Sequence, residues 1–458
     1  MQQPLSQNPS RPWPRWLYWW LAFWTIAILA AVGYFGYFIW ANGPSAAMGR
    51  ESIRLTNAAS HNDELLPSRP VPTATMAAVV PMPTPTCALA APSPIATAVP
   101  ISADTPAPTA TTPAQRQGAT LPMKSPEYGM QAFLWWRPET AHRDLGMIRD
   151  AGFTWVKQNF AWRDIEIQKG QFDWSYTDRI LDQVEQFGLH IVVRLDHQPQ
   201  WAGGGFPTNG PPDNLQDFAD FCFALATRYK GRIDAYEIWN EPNLAREWSD
   251  RAPDPAEYIA LLKVAYVAIK QADPEAIVIT AGLTPTGTQP PVAMPDDVYL
   301  RGMYAAGMKG FYDMVGMHAA GYKAPPELSP EEAAANKEAY GGERFFCFRR
   351  VEDLRQIMVE NGDANTQVAI LEFGWTSDPR PDSPYHWHAV DEFTKADYLV
   401  RAYKWARENW SPWIGLMSLI YMGNPDWTEN DEQWWWCINN PDVGSPRAAY
   451  IKLKEMPK

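Results

Sequence analysis

Residues 123–458 predict an α/β protein built as a (β/α)8 TIM barrel. Three observations carry that expectation. Eight short apolar, β-rich runs follow one another along this part of the chain. Amphipathic helical stretches alternate with them, which is the pattern of a parallel sheet with helical crossovers, and eight such units close a barrel. Several of the runs are apolar almost throughout, as strands buried on both faces are. An open doubly wound sheet is the competing architecture. It would carry a Gly-rich phosphate turn after its first strand, and LWWRPET at 134–140 has none.

The chain begins differently. Residues 17–40, LYWWLAFWTIAILAAVGYFGYFIW, contain no charged side chain. At about 1.5 Å per residue this stretch crosses a bilayer core of about 30 Å. Trp19, Trp20 and Trp24 near one end and Tyr37 and Trp40 near the other suit the two interfaces. Arg11 and Arg15 precede it, so residues 1–16 are expected to be a cytoplasmic tail and the rest of the protein to lie outside the cell membrane. A cleaved signal peptide is the alternative, but its apolar core would normally be shorter. Residues 41–122 read as a disordered linker, with 13 prolines between Pro67 and Pro122 among Thr, Ala, Ser and Val.

The strand-like runs are 128–134, 154–160, 190–195, 234–239, 276–281, 312–318, 367–373 and 413–421. Helical stretches include 140–151, 176–187, 214–229, 255–272 and 395–409. The whole chain has 39 Lys+Arg against 52 Asp+Glu, a net charge of −13, which argues against a nucleic-acid partner. Four cysteines rule out a disulfide scaffold. Outside the membrane Cys347 and Cys437 could pair, being on loops of one rim, whereas Cys222 in FADFCFAL suits a buried helix face.

In a TIM barrel, chemistry sits at the C-terminal ends of the strands. Strand 4 ends in YEIWNEPN (236–243) and strand 7 in ILEFGWTS (370–377), which puts Glu241 and Glu372 at one rim. Glu is depleted in strands and rarely buried without a partner. Two carboxyl groups at one mouth suit glycosidic cleavage, in which one protonates the leaving oxygen and the other attacks the anomeric carbon. Pro242 turns the chain sharply after Glu241.

These motifs resemble the clan of retaining TIM-barrel glycoside hydrolases that holds the cellulase-like families, and IWNEPN resembles its β-xylosidase-like branch. The likeness extends through W-x-x-I-E…G-x-F-D-W in 152–193, QPQWA at 198–202 and MVGMHAAGY at 314–322. The resemblance implies Glu241 as acid/base, Glu372 as nucleophile, Asn240 as ligand of the sugar 2-hydroxyl and His318 in the same subsite. It also implies a Tyr near strand 6 hydrogen-bonded to the nucleophile, for which Tyr322 is the nearest candidate. Where the clan usually has an Arg on strand 2, this chain offers Lys157, a point charge without the bidentate fork.

Other residues have two readings each. Glu237 shares parity with Glu241 and fits an internal ion pair with Lys157 or Arg194 better than catalysis. Asp196 and His197 suit either sugar ligands or a solvated loop. Trp135, Trp201, Trp375 and one of Trp434–Trp436, with Trp435 the choice, are either sugar-stacking platforms or core. His386 and His388 lack a third ligand, so no metal is expected, and no cofactor either. The function expected is a membrane-anchored glycosidase acting on an oligo- or polysaccharide. The alternative is a catalytically idle barrel that binds glycan at the cell surface.

Overall fold

The computed structural model describes residues 121–458. The predicted tail, membrane anchor and nearly all of the linker lie outside the described residues. Among the described residues, no helix is long and apolar enough to cross a membrane.

Eight parallel strands close in sequence order: β1 (Glu127–Gln131), β2 (Trp155–Asn159), β3 (His190–Leu195), β4 (Ala235–Ile238), β5 (Ile277–Thr280), β6 (Met314–Ala320), β7 (Gln367–Gly374) and β8 (Ile414–Leu419). The pairing of β1 with β8, Glu127 opposite Leu416 through Met130 opposite Leu419, removes the sheet edges. Every expected strand coincides with an observed one, with shifts of a few residues at the ends.

The expected helices also form, as Pro138–Asp150, Ser175–Gln186, Leu215–Arg228, Pro255–Ala272 and Glu392–Asn409. Their starts have local causes. Asn214, Asp254 and Asp391 each accept backbone N–H bonds from the first helical turn that follows, which satisfies donors that otherwise have no intrahelical partner. Pro255 occupies the first turn, where its missing N–H costs nothing. Ile180, Leu181 and Val184 on one helix, and Phe218, Phe221, Cys222 and Leu225 on the next, are buried in the same apolar layer as the outward-facing Val156, Val193, Ile238 and Val278 of the strands.

Inside the barrel the alternation of strand side chains builds two levels. An apolar floor is made by Trp155, Val192, Ala235, Ile279, Met314, Ala369, Leu371 and Leu416, with Met123 below them. Gln367 fastens that end by accepting from Met123 N at 3.0 Å and donating to its carbonyl at 2.9 Å. Two residues further along β2, β3 and β4 the same parity delivers Lys157, Arg194 and Glu237, all buried. Lys157 Nζ lies 2.9 Å from Glu237 Oε2, so Glu237 belongs to an internal ion pair.

The expected Cys347–Cys437 bridge does not form; Cys222, Cys347 and Cys437 are free thiols. Cys347 packs with Ala324 and Ala333, whereas Cys437 packs with Ile420, Tyr421 and Trp436. Each thiol bonds a carbonyl of its own loop, Arg344 and Gln433 respectively. Shared membership of a rim was too coarse a criterion, since a bridge needs Cα atoms within about 7 Å. The loop after β8 is instead fastened by Lys395. This side chain is fully buried, and its Nζ donates to the carbonyls of Trp435 at 2.8 Å and Cys437 at 3.0 Å.

Lys157→Met should destabilise the protein by about 3–5 kcal/mol, because it leaves buried carboxylates without their counter-charge. Adding Glu237→Gln should recover part of that loss. Chemical denaturation of the wild type and both variants measures it, and equal midpoints for all three would contradict the role given to the pair.

Candidate active site

β4 ends at Ile238, and the chain leaves through Trp239 and Glu241 with φ of 73° and 37°. Left-handed backbone is uncommon for residues that carry a Cβ and persists only where the surroundings enforce it. Here they do. Trp239 Nε1 donates to the Glu247 carbonyl at 2.9 Å, and Glu241 N donates to the Gly282 carbonyl at 3.1 Å. The Asn243 amide exchanges hydrogen bonds with the backbone of Thr284, donating at 2.9 Å and accepting at 3.1 Å. These contacts lock the β4 exit onto the β5 exit and turn the Glu241 carboxyl into the barrel mouth.

Glu372 arrives by a different route. On β7, Ala369 and Leu371 face the interior and Val368 and Ile370 the helices. Simple alternation would send Glu372 outward. The register with β6 shifts at this point: Met317 is opposite Ile370, but His318 is opposite Glu372. The bulge inserts Leu371, so both it and Glu372 point inward.

His318 joins the two acids. Its Nδ1 is 2.9 Å from Glu241 Oε1 and 4.0 Å from Glu372 Oε2. Those two oxygens are therefore at most about 7 Å apart. The imidazole fits because residue 282 is glycine: a Cβ there would be 2.2 Å from the ring.

Cations surround the acids. Lys157 Nζ is 3.3 Å from Glu372 Oε1, and Arg194 Nη1 is 3.5 Å from the same atom. Arg246 Nη2 is 3.5 Å from Glu241 Oε2, and the Thr284 hydroxyl donates to Glu241 Oε1. Burial opposes ionisation of both carboxyls, but these partners outweigh it. Lys157, His318 and Arg194 hold Glu372 below the usual carboxylate range, and His318, Arg246 and Thr284 do the same for Glu241. A wide split between the two acids, which a division into proton donor and nucleophile suggests, is thus not what the surrounding side chains by themselves produce. The hydrogen bond from His318 and the nearby guanidinium bring Glu241 down alongside Glu372.

Behind these groups stands a second row. Arg194 Nε pairs with Asp196 Oδ2 at 2.9 Å, and Asp196 Oδ1 is 2.5 Å from His197 Nδ1. Burial works against the Asp196 charge, yet His197 and Arg194 bring its carboxyl down to about 2. Asp196 and His197 are thus buried supports of Arg194, not parts of a solvated loop. Arg194 Nη1 donates to Asn240 Oδ1 at 3.0 Å, and Asn240 Nδ2 donates to Glu247 Oε1 at 3.4 Å. Burial pushes Glu247 up to about 8, with Arg246 opposing.

The structure gathers Glu241, Glu372, His318, Lys157 and Asn240 into one network. The Tyr322 hydroxyl donates to the Pro285 carbonyl at 3.3 Å, and its ring packs on Phe346. Trp375 is 1% exposed, with its indole N–H on the Ala324 carbonyl, so neither face is open to a sugar. Trp135 is also buried and stacks on Tyr176. These two are packing residues, with Trp135 against Tyr176 and Trp375 against Tyr398, both on outer helices. Trp201 is half-buried against Trp162 and Lys169, and Trp435 is half-buried with its N–H on the Glu429 carbonyl. Arg246, Thr284 and Glu247 had no motif to mark them. Arg194 had a signal, a lone charge within the apolar run HIVVRL. Among the described residues, no group of three or more His, Cys, Asp or Glu is placed to hold a metal ion.

Comparison with known proteins shows what the chain is similar to. Residues 131–217 match glycoside hydrolase family 42, described as beta-galactosidase. The chain is similar in this segment and in its fold to the TIM-barrel glycoside hydrolases of the cellulase-like clan. A beta-xylosidase of Geobacillus stearothermophilus is 27% identical over 130 residues, 25% of each chain. Endo-1,4-beta-xylanase A of Phanerodontia chrysosporium is 28% identical over 120 residues, 25% of this chain and 29% of that one. The matched stretches thus span about a quarter of these curated relatives. A family 39 glycoside hydrolase from the gut symbiont Bacteroides cellulosilyticus WH2 superposes with a TM-score of 0.54 at 20% identity, covering 74% of this chain and 64% of that one. This last likeness concerns the fold.

The raised Glu247 carboxyl makes folding pH-dependent. The folded protein keeps a proton there that the unfolded chain has already lost, so this group's contribution falls as pH rises from about 4.5 towards 8. In Glu247→Gln the drop in denaturation midpoint between pH 5 and pH 8 should be smaller than in the wild type. An unchanged drop would mean that Glu247 is ionised in the folded protein.

Proposed function

We propose that this protein is a retaining glycoside hydrolase that cleaves an O-glycosidic bond of an oligo- or polysaccharide. The observation that carries this is the pair Glu241 and Glu372, buried at the mouths of β4 and β7 and bridged by His318. Glu372 is held ready to ionise, and the oxygens of the two acids that face His318 lie within about 7 Å of each other. The likeness to glycosidases in sequence and fold supports it.

In the first step a carboxylate oxygen of Glu372 attacks the anomeric carbon. The bond from that carbon to the leaving oxygen breaks, and the leaving oxygen takes a proton from Glu241. Lys157 and Arg194 keep Glu372 ionised until it attacks. Ester formation removes the Glu372 negative charge, so Glu241 becomes easier to ionise. That suits its part in the second step, where it takes a proton from water as the water attacks the anomeric carbon, and Glu372 leaves. Asn240, fixed between Arg194 and Glu247, donates in this reading to the hydroxyl next to the reacting carbon. The idle glycan-binding barrel drew on the missing strand-2 Arg. Lys157 at 3.3 Å and Arg194 at 3.5 Å supply cations to Glu372 in its place; that reading also drew on Tyr322, whose hydroxyl donates to the Pro285 carbonyl.

We also propose that residues 17–40 anchor the chain and that the barrel faces outward. The uncharged stretch and the preceding Arg11 and Arg15 support this.

On aryl glycosides, Glu372→Ala should lose activity on every substrate. Glu241→Ala should keep the first step for good leaving groups, accumulate intermediate, and be accelerated by azide to a glycosyl azide of retained configuration. Azide rescue of Glu372→Ala instead, or no effect of either substitution on glycosides that the wild type cleaves, would remove the assignment.

Protease added to intact cells should release a soluble barrel fragment by cutting within residues 67–122. A protected segment would reverse the topology.

A further inference from the structure

Glu247 lies in a short turn, Ala245–Glu247, six positions beyond Glu241, and is fully buried. A buried carboxyl with no part in the bond-breaking steps costs stability unless something is gained by keeping it. Its surroundings indicate what is gained. The Asn209 amide donates to Glu247 Oε2 and the Asn240 amide to Glu247 Oε1. Neither amide is free to flip. Asn209 Oδ1 already accepts from His197 N at 3.0 Å, and Asn240 Oδ1 accepts from Arg194 Nη1 at 3.0 Å. Each therefore presents its NH2 group to the same carboxyl. The backbone of the turn is fixed as well, since the Glu247 carbonyl accepts from Trp239 Nε1 and Ser249 N donates to the Asn209 carbonyl at 2.7 Å.

The result is a line of contacts from the loop after β3 to the opposite wall: Asn209, Glu247, Asn240, Arg194, Glu372. Asn240 is its central member. Its oxygen accepts from Arg194 and one amide hydrogen goes to Glu247, which leaves the second hydrogen as the side-chain donor it can offer to a ligand. Without Glu247 the amide would be held from the oxygen side alone and could rock about its last torsion, which is broad and only two-fold in its preferences.

We propose that Glu247 is the positioning residue for Asn240, aiming its remaining amide hydrogen at the substrate hydroxyl beside the reacting carbon. This rests on the glycosidase assignment for its substrate but not for its geometry. Two substitutions separate the possibilities. Glu247→Gln keeps one acceptor in the same volume, and Glu247→Met keeps none. Two measurements are made on the full-length protein. The first is the ratio of kcat/KM for an aryl glycoside to that for its 2-deoxy analogue, with Asn240→Ala as the reference for complete loss. The second, independent of turnover, is the side-chain amide signal of Asn240 in protein labelled with 15N-asparagine, identified by its absence in Asn240→Ala.

The ratio should fall at least tenfold in Glu247→Met and by less in Glu247→Gln. The Asn240 signal should shift and exchange faster with solvent in the same order. Equal losses of kcat/KM on both substrates, with the ratio unchanged, would show that Glu247 only supports the fold and would overturn the proposal. An Asn240 signal unaltered in both variants would overturn it whatever the kinetics. If the wild type cleaves neither substrate, the glycosidase assignment fails, and the amide signal alone decides whether Glu247 holds Asn240. Should Glu247→Met not fold, the Gln variant still answers through both measurements.

Discussion

Everything at the mouth of this barrel depends on charge neutralisation out of contact with water. Glu237, Glu241, Glu372 and Asp196 are all nearly inaccessible, and isolated carboxylates in such surroundings would either take up protons or unfold the site. Lys157 and Arg194 prevent that for three of them, Lys157 reaching Glu237 and Glu372 and Arg194 reaching Asp196 and Glu372, while His318 and Arg246 face Glu241. Glu372 is the point at which both cations meet. Its readiness to ionise is therefore a property of the layer, not of one neighbour.

A layer of this kind sets limits on what else the barrel can contain. Below it lies an apolar floor, so the buried charges find their partners within the layer and above it. Above it the exits of β4 and β5 are locked together through Asn243 and Thr284. The carboxyls are thus confined to a narrow slab, and a substrate would enter one already organised. That is the condition under which fixed charges act on a transition state without having to reorganise first.

Much of this was legible in the chain. The eight strands and the helices between them follow from hydrophobic period, which burial enforces directly. Glu241 and Glu372 stood out because a strand end is an unfavourable place for Glu without a purpose. Other parts were not legible because they depend on contacts between distant segments. Glu247, Arg246 and Thr284 occupy irregular exits whose paths no period encodes. The tryptophans show the same limit from the other side. Position after a strand end cannot tell a ring that faces the cleft from one that folds back, and Trp135 and Trp375 fold back. Cys347 and Cys437 show it too, since they share a rim but sit in separate clusters.

The bulge in β7 has a consequence for how this surface could change over evolutionary time. In an evenly alternating strand, losing one codon ahead of the mouth turns every later side chain to the opposite face. Here the strand carries one residue more than alternation needs. Loss of the codon for Leu371 would leave Glu372 directly after Ile370, still facing inward, with Phe373 still among the helices. The strand would lose its irregularity and part of the floor while its acid kept its aim. Length at this point is therefore a poor ruler. Two lineages descended from such a chain could differ by a residue between floor and acid and still hold the acid in the same place, so counting along the strand would misplace it in one of them.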